Sequence, residues 1–249
     1  MIQRLPPPAL LPCVLLALWL ATAAPAQSQQ AGQSLDQQGR GHWRTYGVTD
    51  GLGALDVWDI FRDRDGNMWF ATEGGGVSRY DGDGWTSFGA EDGLVGHSAY
   101  AIVQDAAGNL WFRSRQGVSR YDGVAWTAYT VDDGLVESSV GFWPTVLVSD
   151  RDGNVWFGSD LGGVSRFDGS RWTSFDTIDE RKFGGVWSAT QDRDGAMWFA
   201  TDAGVVRHQD GNWRTYDVKD GLAGPAVRAV ASDSSGALWF ATTTGLSRL

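Results

Sequence analysis

The side chains that could carry chemistry in this 249-residue sequence are mostly aromatic or charged. There are 14 tryptophans, 20 lysines and arginines, and 30 aspartates and glutamates, but only three histidines and one cysteine. Indole faces beside arginine and carboxylate groups suit stacking on sugar rings and hydrogen bonding to hydroxyls, or recognition of a cation. The composition therefore favours ligand binding over nucleophilic chemistry.

Catalytic groups are sparse and scattered. His42, His97 and His208 lie at unlike positions, and Cys13 alone forms neither an internal disulfide nor a cysteine-based metal site. No serine lies in a recognisable nucleophile elbow. Carboxylates are plentiful, so a glycosidase pair stays open as an alternative. We predict that the protein is not an enzyme and needs no metal or cofactor. A net charge of −10 argues against nucleic-acid binding.

Any such site must be positioned by repeated elements, because tryptophan recurs with a fixed period. Five tryptophans precede phenylalanine at spacings of 41 to 45 residues: Trp69, Trp111, Trp156, Trp198 and Trp239. A second series has spacings of 41 to 46 residues: Trp43, Trp85, Trp126, Trp172 and Trp213. A period of about 40–45 residues is typical of propeller blades.

Two charged positions recur with the tryptophans. An aspartate lies six residues before each Trp-Phe: Asp63, Asp105, Asp150, Asp192 and Asp233. An arginine ends the Gly-Val/Leu-x-Arg segment after it: Arg79, Arg120, Arg166, Arg207 and Arg248. Since a ligand site needs asymmetry, we predict that these residues are structural, bonding turns and neighbouring strands. The oxygen-rich segment 63–67 also suits calcium, but its short turn between two strands favours a hairpin.

Each unit carries four short strand signals separated by glycine-containing turns. In the first unit they fall at residues 57–61, 68–72, 77–80 and 85–88. We predict an all-β fold, a β-propeller of five four-stranded blades over residues 42–249. The strand at residues 42–46 is predicted to close it by completing the last blade. A fragment of a larger propeller is the alternative.

The repeat resembles a known family. The first unit reads Val-x-x-Ile-x-x-Asp-x-x-Gly-Asn-Met-Trp-Phe-Ala-Thr over residues 57–72 and Gly-Val-Ser-Arg-Tyr-Asp over residues 76–81. This pattern resembles the two-component regulator propeller repeat, and the resemblance extends over all five units. It implies a periplasmic sensor propeller of the kind found in hybrid histidine kinases, many of which sense glycans. Without a kinase region of its own, such a sensor would need a membrane kinase or other protein partner.

The first 26 residues have the pattern of a secretory signal peptide. Arg4 precedes an apolar run over residues 9–24, and Ala24-Pro25-Ala26 supplies a small-x-small cleavage pattern. We predict cleavage after Ala26, a flexible leader over residues 27–41, and a periplasmic or secreted protein with no membrane span. An uncleaved membrane anchor and a lipoprotein signal at Cys13 are the alternatives.

Aromatic and charged residues outside the repeat positions mark a candidate site. Strand-one starts and strand-two ends fall at the same end of a blade, and the candidates lie there or in nearby loops. They are Trp58, Tyr100, Trp143, Trp187, Arg228, Arg113, Arg115 and His97. The carboxylates Glu73, Asp160 and Asp202 also follow second strands at this end. We predict that they bind a small molecule or an oligosaccharide, unless the aromatics only fill the core. The predicted function is an exported sensor-type propeller, with a protein-interaction scaffold and a propeller lyase or hydrolase as alternatives.

Overall fold

A computed structural model of the protein describes residues 43–138, 146–178 and 181–249. The predicted signal peptide, the predicted leader and Trp143 lie outside these residues. The described helices are four three-residue 3-10 turns, Val48–Asp50, Ala90–Asp92, Val131–Asp133 and Val218–Asp220. No helix in the described ranges has the length and apolar character needed to cross a membrane.

The remaining described structure is a series of antiparallel sheets, and each sheet follows the chain order of its strands. Blade 1 contains β1 (Val57–Arg62), β2 (Met68–Thr72), β3 (Val77–Tyr80) and β4 (Trp85–Phe88). Blade 2 contains β5 (Ala101–Gln104), β6 (Leu110–Arg113), β7 (Val118–Tyr121) and β8 (Trp126–Tyr129). The strands of the first unit match the sequence-based prediction to within one residue.

Blades 3 and 4 also have four strands each. Blade 3 contains β9 (Leu147–Ser149), β10 (Val155–Gly158), β11 (Val164–Phe167) and β12 (Trp172–Phe175). A hairpin of β13 (Thr177–Ile178) and β14 (Arg181–Lys182) then precedes blade 4. Blades 1, 2, 3 and 5 are each preceded by a 3-10 turn instead. Blade 4 contains β15 (Val186–Gln191), β16 (Met197–Thr201), β17 (Gly204–Gln209) and β18 (Asn212–Tyr216).

Blade 5 contains three strands, β19 (Val227–Ser232), β20 (Leu238–Thr242) and β21 (Gly245–Arg248). Within the described residues β21 pairs with β20 alone, and residues 43–46 form no strand. The predicted closing strand is therefore not formed. Tyr46 instead packs its ring on Tyr80 and Trp85 of blade 1, with ring centroids 5.9 and 5.5 Å apart. The propeller prediction is confirmed for the blades, whereas closure is not observed.

Each blade is organised around one tryptophan of its second strand, which is buried in blades 1–4 and partly exposed in blade 5. The indole Nε1 donates a hydrogen bond to the aspartate six residues earlier, over 2.7 to 2.9 Å in all five blades. The arginine of the third strand lies over the same indole, 5.5 to 6.0 Å from its centroid. We call this Asp–Trp–Arg group the framework triad. In this triad the aspartate accepts the hydrogen bond of the indole N–H, while the apolar face of the indole adds to the core.

The hydrophobic core consists of four clusters, one between each pair of consecutive blades. In the first cluster Trp69 and Val77 of blade 1 pack against Ile102 and Phe112 of blade 2. The Trp69 and Phe112 rings lie 5.5 Å apart. In blades 2–4 the second strands are covered on both faces by neighbouring blades. They therefore read as continuous apolar runs, and β6 and β10 are buried throughout.

The Asp-Gly-Leu segments end the 3-10 turns in a left-handed glycine. Gly51 has φ of 119° and Gly93 has φ of 112°. A Cβ on Gly51 would lie 2.5 Å from the Cβ of Trp85, and one on Gly93 would lie 2.7 Å from that of Trp126. Glycine is needed there both for the backbone conformation and for the approach of the fourth-strand tryptophan.

Arginines in the turns between first and second strands link consecutive blades. The end of the blades where these turns lie is here called the lower end. Arg64 donates from Nη1 to the Ala106 carbonyl over 3.1 Å. Arg193 donates from Nη1 to the Ser235 carbonyl over 2.7 Å. Arg151 donates in the same way to the Arg193 carbonyl over 3.2 Å. The acceptors are neutral backbone groups of the next blade.

Replacing a framework aspartate in the core should destabilise the fold. Asp105 is buried and accepts hydrogen bonds from Trp111 Nε1 and Asn109 Nδ2, both over 2.8 Å. Asp105→Ala leaves these donors unpaired, so the free energy of unfolding should fall by about 1–3 kcal/mol. Urea denaturation followed by circular dichroism measures the change. Asp83→Ala, in an exposed turn, should stay within about 0.5 kcal/mol of the parent; equal losses in both variants would contradict a structural role for Asp105.

Stability should fall in acid. Burial raises the pKa of Asp63, but hydrogen bonds from Trp69 and Asn67 outweigh it and the net pKa lies below the ordinary value. Hydrogen bonds likewise lower the pKa of four further aspartates: Asp81, Asp122, Asp168 and Asp233. Burial raises the pKa of Asp59, which acts in the opposite sense. Carboxylates with a lowered folded-state pKa stabilise the fold above about pH 4, and this contribution disappears as the pH falls through their folded pKa.

Urea midpoints at pH 7, 5 and 3 should therefore decrease, most steeply between pH 5 and 3. Asp168→Asn keeps an oxygen acceptor for Ser170 and Arg171 but removes the titrating group, so its midpoint should depend less on pH. An unchanged midpoint at pH 3 in the parent protein would contradict the expectation.

Candidate functional site

The non-repeat aromatic and charged residues lie at the end of the blades where first strands begin and second strands end, here called the upper end. Trp58 and Trp187 are the second residues of β1 and β15, and Arg228 is the second residue of β19. Tyr100 immediately precedes β5, and Arg113 ends β6. The topology therefore places these five predicted residues at the same end of the blades.

One group joins blades 1 and 2. Glu73 accepts a hydrogen bond from Trp58 Nε1 over 3.2 Å and forms an ion pair with Arg115 Nη2 over 2.9 Å. The Arg115 guanidinium lies over the Tyr100 ring, 5.5 Å from its centroid. Tyr100 and Trp58 meet edge to face at 5.5 Å. The two aromatic rings are therefore oriented by a charged pair that spans the boundary between the blades.

A second group of the same kind joins blades 4 and 5. Asp202 accepts hydrogen bonds from Trp187 Nε1 over 2.7 Å and from Arg228 Nη1 over 2.9 Å. The Arg228 guanidinium lies 4.2 Å from the Trp187 ring centroid, within cation–π distance. The arginine again comes from the next blade. Trp58 is 41% exposed, and Trp187 and Asp202 lie in a partly exposed setting as well.

Arg113 is buried and connects blades 2 and 3 through a hydroxyl. Its Nη2 donates to Ser138 Oγ over 3.1 Å, and Ser138 Oγ donates to Asp160 Oδ1 over 2.8 Å. Burial lowers the pKa of Arg113 to about 10, although Asp160 and Tyr100 act in the opposite direction. The group remains a cation at neutral pH. The Arg113 side chain lies beneath the surface of the upper end. At 2% exposure it offers little surface to a ligand.

The two histidines among the described residues, His97 and His208, lie in different blades and do not form a catalytic constellation. His97 is exposed, and its carbonyl accepts from Gly76 N over 3.0 Å beside a cleft lined by residues 74–76 and Glu91. His208 is buried, lies 4.4 Å from the Trp213 ring centroid, and has its pKa lowered chiefly by burial. No three His, Cys, Asp or Glu side chains among the described residues are arranged to hold a metal ion.

The sequence analysis places Glu73, Asp160 and Asp202 after second strands at this end but does not include them among the predicted ligand-binding residues. It assigns no role to Ser138, and it does not predict that Glu73 and Asp202 orient the two tryptophans. The signal for these two carboxylates is present in the sequence, since each follows its tryptophan by 15 residues. In both units this places it just after the second strand, next to the start of the first.

The fold is shared with several solved structures of low sequence identity. An extracellular domain from a protein described as a hybrid two component system of B. thetaiotaomicron is 19% identical, with a TM-score of 0.65. That match covers 86% of this chain but only 30% of the other. Virginiamycin B lyase from Staphylococcus aureus is 16% identical, with a TM-score of 0.57 over 78% of this chain and 69% of the lyase. These likenesses concern the propeller fold.

The sequence comparisons are narrower. Comparison with curated protein sequences gives no significant match. Residues 51–74 match the sequence model of the family described as two component regulator propeller. The matched residues contain Asp63 and Trp69 of the first framework triad, and the same spacing recurs in the other four units. The chain is therefore a β-propeller, and its first repeat matches the two component regulator propeller model over residues 51–74.

Proposed function

We propose that this protein is an exported, sensor-type propeller that binds an oligosaccharide at its upper end. The observation that carries the proposal is the pair of Trp–carboxylate–Arg groups, Trp58–Glu73–Arg115 and Trp187–Asp202–Arg228. Each fixes an indole by its N–H, so the ring is oriented before a ligand arrives. Preorganised aromatic platforms lose little conformational entropy on binding.

The chemistry of both groups suits a sugar. An indole face stacks on the apolar C–H face of a pyranose, while carboxylate and guanidinium groups accept from and donate to its hydroxyls. Tyr100 adds a second ring beside Trp58, 5.5 Å away. Because each arginine belongs to the blade after its carboxylate, a ligand bound here would contact two blades at once. That arrangement gives a sensor a means of coupling binding to the packing between blades.

The sensor role and the location rest on the repeat family and on the N-terminal pattern. The predicted signal peptide over residues 1–26 would direct the protein to the periplasm or the outside, with cleavage after Ala26. A membrane kinase or another protein partner would then receive the signal. A binding role is consistent with the position of His208, which is buried among aromatic rings and away from the upper end.

Tryptophan substitutions at the upper end should weaken oligosaccharide binding. Calorimetric titration of the parent protein with a panel of neutral and acidic oligosaccharides should give saturable binding of at least one member. Trp58→Ala and Trp187→Ala should each reduce the affinity about tenfold or more, equivalent to about 1.4 kcal/mol. Val124→Ala is the control, because Val124 is 91% exposed in a turn at the lower end. No binding across the panel, or unchanged affinity in both tryptophan variants, would overturn the glycan proposal.

The ion pairs of the site should matter more for binding than for stability. Asp202 and Arg228 are about half exposed, and such pairs contribute about 0–1 kcal/mol. Asp202→Asn and Arg228→Met should therefore shift the free energy of unfolding by less than about 1 kcal/mol while weakening any ligand identified in the panel. Urea denaturation and calorimetry on the same samples separate the two effects. A loss of stability as large as that of Asp105→Ala would show that the pair belongs to the framework instead.

A further inference from the structure

Four successive blade–blade interfaces share one construction. The second-strand tryptophan of one blade packs against the second-strand phenylalanine of the next in three of them: Trp69–Phe112, Trp156–Phe199 and Trp198–Phe240, at 5.4 to 5.8 Å. The first residue of the third strand, or its neighbour, joins the same cluster, as Val77 and Val118 do. Each blade thus has a forward face, carrying the tryptophan, and a backward face, carrying the phenylalanine.

The forward face of blade 5 is uncovered. Trp239 is 40% exposed, whereas the equivalent tryptophans of blades 1–4 are at most 3% exposed. Leu246 is 67% exposed, while the equivalent valines are at most 1% exposed: Val77, Val118, Val164 and Val205. The neighbouring strand β21 has no partner beyond β20 in the described residues, so its outer edge also offers unpaired backbone groups.

The backward face of blade 1 is partly uncovered, although Tyr46 packs on its Tyr80 and Trp85. Ile60 is 58% exposed, and its equivalent in blade 2, Ile102, is 5% exposed. Phe70 is only partly buried, whereas Phe112 is fully buried. In each of the other blades, the residues at these two positions pack against the forward face of the preceding blade. The two open faces are therefore the two halves of one interface that the chain already forms four times.

We propose that blade 5 of one copy packs against blade 1 of a second copy and so repeats this interface between chains. Both surfaces are apolar, and their side chains differ little from those already packed inside the protein. Such a contact is heterologous, because different surfaces of the two copies meet, and it continues from copy to copy unless the assembly closes. It covers Trp239 and Leu246 on one side and Ile60 and Phe70 on the other.

Two substitutions at exposed positions test the proposal. Leu246→Arg blocks the forward face of blade 5, and Ile60→Arg blocks the backward face of blade 1. In light scattering after size exclusion, the full exported chain should show an average mass that rises with concentration, while each variant should remain at the monomer mass. An equal mixture of the two variants should form a dimer of twice the monomer mass and nothing larger, because one intact face of each kind remains.

The controls separate this result from misfolding and from closure within one chain. Val124→Arg should associate as the parent protein does, since Val124 lies in a turn of blade 2 away from both faces. Circular dichroism and the urea midpoint of each variant should match those of the parent monomer. A parent protein that stays monomeric at every concentration would overturn the proposal, as would association that persists in both blocking variants. Neither outcome bears on oligosaccharide binding, which is measured at the upper end.

Discussion

The hydrogen bond between a buried indole and an aspartate six residues earlier is the interaction on which this fold depends. Each second strand places a tryptophan between two blades, where its large apolar face adds to the core and its N–H needs an acceptor. The aspartate supplies that acceptor from the turn that joins the first two strands. It thereby ties the geometry of a hairpin to the packing of the next blade. The arginine whose guanidinium lies over the ring completes the triad.

Most of the fold could be predicted from the sequence, because the repeat displays each blade five times. Strand bounds followed from turn glycines and apolar runs, and Met68–Thr72 was predicted without error. The hairpin at β13 and β14 could not be predicted, because it arises where Asp-Gly-Leu is absent and no other unit provides a template. The closing strand is not observed among the described residues, for a different reason. The pattern at residues 42–46 matches a fourth strand, but pairing with β21 depends on how the end blades approach each other, which local spacing does not determine.

The candidate site was predictable in its location but only partly in its contacts. Removing the repeat positions left Trp58, Tyr100 and Trp187 as residues that the blade itself does not need, and the structure places them at one end. Glu73 and Asp202 could be placed at the same end, but their pairing with the two tryptophans could not be predicted, because carboxylates are common in this acidic chain. The burial of Arg113 was also unforeseen, since a terminal strand residue reads as exposed in the sequence. Burial depends on the neighbouring blade, whose approach the sequence does not encode locally.

Consecutive blades are joined by different kinds of interaction at their upper and lower ends. At the lower end Arg64 and Arg193 donate to neutral carbonyls of the next blade, whereas at the upper end Arg115 and Arg228 pair with carboxylates. Dissolved salt screens a pair of charges more than it weakens a hydrogen bond to a carbonyl. High salt would therefore weaken the side-chain contacts between blades at the upper end before those at the lower end. The hydrophobic clusters between the blades would keep them packed, so salt would change the orientation of the two exposed indoles rather than the fold.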